Sequence, residues 1–253
     1  MENEEFKVIG GSYEKSINGD TKLDLKSLAK EAWELTKKGK SEVMQGVALM
    51  LFILMVFVWA LQSIFGITDM TTVTPRTQVI MELVFVVITA PIVAAMLLIG
   101  ISRSVGLKPE FVPLLKRAFG SFIIVLLALL LAVLTDVVGQ VLSLAGLLLG
   151  VVATFYLGMA TSFSMMLLIE KQLPPKETIV QSFKVFNRHW PSLSLFYIGS
   201  MVLFLLGMLS LGVAYIWLIP FYFNFKGVLY RDLFGINVSV NTYSPKQESV
   251  FNA

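Results

Sequence analysis

The chain reads as an all-α integral membrane protein: six transmembrane helices, three amphipathic surface helices on the cytosolic side, and a three-fold hairpin repeat relating them. Three observations lead there. Of its 253 residues, 56% are hydrophobic and only 15% charged, and mean hydropathy is +0.78, outside the range of soluble domains. The apolar runs continue for about twenty residues, the length a helix needs to cross a bilayer, instead of alternating over about ten as barrel strands do. Nineteen of the twenty Lys and Arg residues fall on segments that six crossings leave on one side, with only Arg76 on the other. Because basic residues are retained on the cytosolic side, this bias puts both chain ends in the cytosol.

The elements follow in order. Residues 1–20 are polar, lack the apolar stretch of a secretory signal, and read as a disordered tail. From Leu23 a helical period sets in, with Leu25, Leu28, Ala32 and Leu35 on one face and Lys26, Lys30, Glu34 and Lys37 on another. This is the first surface helix, about 23–38. Span one covers about 43–65, and a loop of about a dozen residues leads to span two, about 78–102. Pro91 lies near the middle of span two, where it frees a backbone carbonyl and allows a kink. Pro109-Glu110 opens the second surface helix, about 109–118, with Phe111, Leu114, Leu115 and Ala118 on one face beside Lys116 and Arg117.

Span three runs over about 119–138, a turn covers Val138 to Leu144, and span four runs over about 145–169. The third surface helix, about 176–190, sets Ile179, Phe183, Phe186 and Trp190 against Glu177, Gln181, Lys184 and Arg188. Spans five and six cover about 191–211 and 212–230, and residues 236–253 read as a second disordered tail. The membrane domain is thus residues 21–235.

Each odd-numbered span is preceded by a surface helix carrying a small residue and then an aromatic: Ala32-Trp33, Ala118-Phe119 and Ser182-Phe183. Met96-Leu97-Leu98-Ile99 in span two returns as Met166-Leu167-Leu168-Ile169 in span four, each leading to a proline-opened surface helix. The plan is therefore three units of one surface helix and two spans. The segment Ser182 to Trp190, together with Tyr230-Arg231-Asp232-Leu233-Phe234-Gly235 after the last helix, resembles a broad group of bacterial multi-pass membrane proteins. That group is related to the membrane domain attached to some glycerophosphoryl diester phosphodiesterases. The resemblance covers about Leu23 to Gly235 and implies a bacterial cytoplasmic membrane and envelope or lipid-linked roles. It supplies no catalytic residues, and the soluble phosphodiesterase domain has no counterpart here.

Candidate sites divide into three sets. Lys116, Arg117, Lys184, Arg188, His189 and Trp190 are expected to touch lipid headgroups, because basic residues interleaved with aromatics on surface helices suit anionic lipid rather than nucleic acid. Gly146, Gly150, Thr154, Gly158 and Ser162 recur at four-residue spacing, a groove for close helix packing against the same chain or a second copy. Asn224 and Lys226 are the most polar pair inside a span. They form either a transport site flanked by aligned helix breaks at Pro91, Gly158 and Pro220, for which a static kink at each proline is the alternative, or, for Lys226, a side chain that snorkels to the headgroups. Glu82 and Asp136 fall near the outer ends of their spans. With no cysteine, one histidine and no H-E-x-x-H or phosphate-loop motif, no metal, cofactor or catalytic constellation is expected. The expected function is a non-enzymatic, lipid-associated scaffold or accessory subunit. Its partners would be membrane lipids and a second copy or other membrane subunits. A small transporter or channel is the alternative.

Overall fold

The structure is a computed structural model and describes residues 6–64, 66–67, 69 and 73–239. Strand β1 (Phe6–Ile9) and helix α1 (Tyr13–Asn18) precede the first amphipathic helix, α2 (Leu25–Lys38). Then come α3 (Ser41–Ser63), α4 (Pro75–Ser104), α5 (Phe111–Phe119), α6 (Phe122–Ser143), α7 (Leu147–Ala160) and α8 (Ser164–Lys171). The chain ends in α9 (Pro175–Arg188), α10 (Trp190–Met208), α11 (Tyr215–Phe234) and strand β2 (Ile236–Ser239). It is an all-α membrane protein. Among the described residues five helices are long and apolar enough to cross a membrane: α3, α4, α6, the pair α7–α8 taken together, and α10.

Local chemistry sets the helix ends. Asp24 caps α2 by accepting from the backbone N–H groups of Lys26 and Ser27, and Gly39 closes it. Thr74 caps α4 from outside Pro75, and Pro175 opens α9, each proline standing where a helix needs no N–H.

The core lies toward one end of the bundle. Residues 89–104 of α4 are buried apart from Val93, as are 223–230 of α11 and most of α8, whereas long stretches of α3, α6 and α10 leave apolar side chains exposed. Helices α4 and α11 cross in backbone contact at Gly100 and Gly227, where a Cβ on either would overlap the other helix's main chain. The three amphipathic helices cap this end. Helix α5 packs on α4, α9 on α8, and α2 on α11, so each lies on one of the three buried helices. Ala32, Ala118 and Ser182, the small residues of the three sequence pairs, are all buried at these contacts.

Two expectations are corrected. Residues 6–20 and 236–239, read as disordered tails, are folded: β1 pairs antiparallel with β2, Phe6 opposite Ser239 and Ile9 opposite Ile236, and α1 packs on α9 and α11. Gly10 and Gly11 lie so close to the Arg231 and Asp232 carbonyls that a Cβ would overlap them, the Gly11 N–H donates to the Arg231 carbonyl at 3.0 Å, and Ser16 Oγ donates to that of Leu233 at 2.6 Å. This order comes from main-chain contacts across the whole chain, which leave no hydrophobic period to read. The remaining tail residues, 1–5 and 240–253, lie outside the described residues. The second correction concerns the helix breaks considered at the prolines. Helices α4 and α11 run unbroken through Pro91 and Pro220, while the third position, Gly158, lies three residues before a break at Thr161–Phe163, between α7 and α8.

Candidate functional site

The capped end presents the cationic side chains. Lys116 and Lys184 are exposed on the outer faces of α5 and α9, whose inner faces bury Phe111 and Leu114, and Val185 and Phe186. Trp190 is 60% exposed at the entry to α10. Arg188 and His189 do more than face outward. The Arg188 guanidinium donates to the Asn18 carbonyl at 3.1 Å, and His189 Nε2 lies 2.9 Å from the Ser16 carbonyl, so both hold α1 against the end of α9. Burial pulls the His189 imidazole below its ordinary value, opposed by the Ser16 hydrogen bond and helped by the neighbouring Arg188 charge.

Arg117 differs from Lys116. It is half-buried, burial lowers its guanidinium from the ordinary value, and it lines a cavity of about 520 Å³. The cavity lies where α5 turns into α6 at Gly120 and Ser121, facing the α8–α9 turn. Its walls include Leu98, Ile124, Leu168 and Leu173. Among the described residues that line it, Arg117 is the one charged side chain.

Two other arginines, not singled out by sequence reasoning, lock the capped end. Arg231 forks onto both carboxylate oxygens of Glu31, at 2.5 and 3.0 Å, and donates to the Ser104 carbonyl, tying α11 to α2 and to the end of α4. Arg103 donates to the Gly39 carbonyl and pairs with Glu42, closing the α2–α3 junction. The one signal for both is an arginine at the end of a long apolar helix.

Asn224 and Lys226 do not make a shared site. Two residues apart on a helix they point about 200° apart. The Asn224 amide donates to Thr36 Oγ1 on α2 at 3.0 Å, while the Lys226 ammonium lies 5.8 Å from the Tyr222 ring centre and 6.0 Å from that of Phe163. Snorkelling is corrected too: Lys226 is only 6% exposed, its ammonium held beside the Phe163 and Tyr222 rings. Among the described residues no carboxylate pairs with it. Phe163 belongs to the α7–α8 break. There Ser182 Oγ on α9 donates to the Ala160 carbonyl at 2.7 Å and accepts from the Phe163 N–H at 3.2 Å, bridging the gap in the helical ladder.

The small-residue seam divides. Gly150 and Thr154 pack on α6 of the same chain, where a Cβ at Gly150 would stand 2.6 Å from the Gly139 carbonyl and 2.7 Å from the Ser143 side chain. Gly146 lies in the α6–α7 turn, Gly158 faces open space, and Ser162 meets the Tyr197 hydroxyl inside the break. At the end away from the caps, Glu82, Thr135, Asp136, Gln140 and Thr154 line a second cavity of about 470 Å³ between α4, α6 and α7, and Gln140 donates to Asp136 at 2.8 Å. Neither cavity is lined by Lys226. No family model, curated protein or solved structure matches the chain.

Proposed function

We propose that this protein is a non-enzymatic, lipid-associated scaffold or accessory subunit of the bacterial cytoplasmic membrane, with six crossings and both chain ends in the cytosol. The observation that carries this reading is the common placement of α2, α5 and α9. All three bury an apolar face on the same end of the core and turn basic residues outward, Lys26 and Lys30 on α2, Lys116 on α5 and Lys184 on α9. Such helices lie in the headgroup layer, where each basic residue near an anionic surface contributes about 1 kcal/mol of attraction. Helix α11 is the sixth crossing; at 20 residues it is long enough, with its Asn224 amide donating to Thr36 and its Arg231 pairing with Glu31. The pairing of β1 with β2, which brings the two ends of the described chain together, fits an even number of crossings.

The three-unit repeat is supported by the caps themselves. Each packs on the long helix preceding it in a closed ring, α5 on α4, α9 on α8, and α2 on α11, so the last unit meets the first. The apolar faces left exposed on α3, α6 and α10 meet lipid, a second copy or another membrane subunit. A transport reading draws on the broken helix beside Lys226, and the filled surroundings of that lysine favour the scaffold.

The test replaces Lys116, Lys184 and the nearby Lys26 by Gln together and measures the phospholipid that co-purifies. The acidic-lipid share should fall toward that of the surrounding membrane; an unchanged share would remove the support for a gripping role.

A further inference from the structure

The break at Thr161–Phe163 is repaired on one side only. Ser182 Oγ serves the Ala160 carbonyl and the Phe163 N–H, so the end of α7 is matched. The start of α8 is not. Its N-cap residue is Phe163, at a position where a helix ordinarily carries Ser, Thr, Asp or Asn, and a phenyl ring has no oxygen to offer the first turn. Ser164 and Leu167 send their N–H groups to the carbonyls of Thr161 and Phe163, at 3.0 Å each, which leaves Met165 and Met166 as the first-turn donors. The Ser164 hydroxyl is fully buried and has no hydrogen-bond partner among the described residues. Beside the ring of the same Phe163 stands the Lys226 ammonium, 6% exposed, with which no carboxylate of the described residues pairs. Each group left over at this break can donate a hydrogen bond and none is an anion, so together they define a positive site inside the bundle.

We propose that the start of α8 binds one small monovalent anion of the chloride class, held by the first-turn N–H groups and the Ser164 hydroxyl, with Lys226 as its counter-charge. The scaffold reading makes no use of this site. Three points select the occupant. The first is charge: an ammonium removed from water is stable only beside an opposite charge, which a water molecule does not supply. The ring centres of Phe163 and Tyr222, 6.0 and 5.8 Å from it, stand at the outer limit of a cation–π contact and offset little of that cost. The second is direction. The free N–H groups and dipole of a helix start attract anions, and helices interrupted inside a membrane present such starts to their ligands. The third is size. Phe163, Met166, Leu167 and Tyr230 are each at most 1% exposed, so the occupant is an ion of one or a few atoms. Sulfate or phosphate, larger and doubly charged, would outweigh the single ammonium. The bound anion ties α8 to α11 across the break, as Ser182 ties it to α9.

Melting of the full chain in detergent, with chloride exchanged for gluconate at constant ionic strength and pH, is the first test. Chloride at about ten times its dissociation constant should raise the wild-type melting temperature by about 3–6 °C, with bromide replacing it and sulfate failing to. Lys226→Met should abolish the rise, Ser164→Val should reduce it by about half, and Lys184→Gln, on the exposed face of α9, should leave it unchanged. The second test needs no variant. Crystals of the wild type grown in bromide should show an anomalous peak beside Ser164 at the first turn of α8. No halide dependence in the wild type, the full dependence in either Lys226→Met or Ser164→Val, or bromide confined to the exposed surface would overturn the site.

Discussion

Gly100 and Gly227 set how closely the two most buried helices approach, and their effect is separable from that of other helix glycines. A methyl group at Gly227 would meet the Gly100 main chain, which cannot rotate away, so Gly227→Ala should cost about 1–3 kcal/mol, read as a lower melting temperature in detergent. Gly158 has open space beside it, and Gly158→Ala should leave the melting temperature unchanged or raise it, as expected for alanine in an unobstructed helix. The histidine makes a different prediction. Burial holds the folded His189 imidazole below the unfolded value of about 6.5, so on acidification the unfolded chain takes up the proton first. Its contribution to holding α1 is complete above that pH and declines below it. Amide protection across residues 13–18, measured relative to the intrinsic exchange rate at each pH, should therefore fall between pH 7 and pH 5 in the wild type, and His189→Gln should flatten the dependence.

At the level of helices, α7 and α8 form one long apolar element that the chain interrupts at Thr161–Phe163 and α9 repairs. Ser182→Ala removes the hydroxyl that serves both the Ala160 carbonyl and the Phe163 N–H, at a cost of about 1–3 kcal/mol for buried groups left without a partner. Amide exchange should accelerate at Phe163 and Ser164 and remain slow in α4; uniform exchange would show that α9 does not hold the break. The sequence carried the capping helices well, because an amphipathic period marks both their faces and their ends: about 23–38, 109–118 and 176–190 against Leu25–Lys38, Phe111–Phe119 and Pro175–Arg188. The breaks considered at Pro91 and Pro220 are absent, because proline announces a missing N–H and neighbouring helices decide whether the axis stops, whereas the one considered at Gly158 lies three residues before Thr161. Sequence reasoning missed the ordering of residues 6–20, since Gly10, Gly11 and Ser16 act through close approach to residues more than two hundred positions away. Of the candidate site, the basic residues of the capped end were legible as types. That Arg117 lines a cavity while Arg188 holds α1 depends on which neighbours fill each junction, and spacing along one helix carries no record of that.

For the molecule as a whole, the core of the bundle is concentrated at one end and capped there by three amphipathic helices, which on the proposed function lie in a single leaflet with their basic faces at its headgroups. The long helices leave their apolar surfaces exposed away from that end. Orientation is the claim on which the rest depends, and the absence of cysteine from the sequence allows it to be read one position at a time. The decisive measurement is labelling of single-cysteine variants with a membrane-impermeant maleimide in intact and lysed cells, using Asp20→Cys, Lys116→Cys and Lys184→Cys at the capped end and Arg76→Cys and Ser210→Cys at the other. The account predicts that the first three label only after lysis while the last two label in intact cells. Labelling of Lys116→Cys or Lys184→Cys from outside, or of Asp20→Cys on the opposite side from those two, would contradict it.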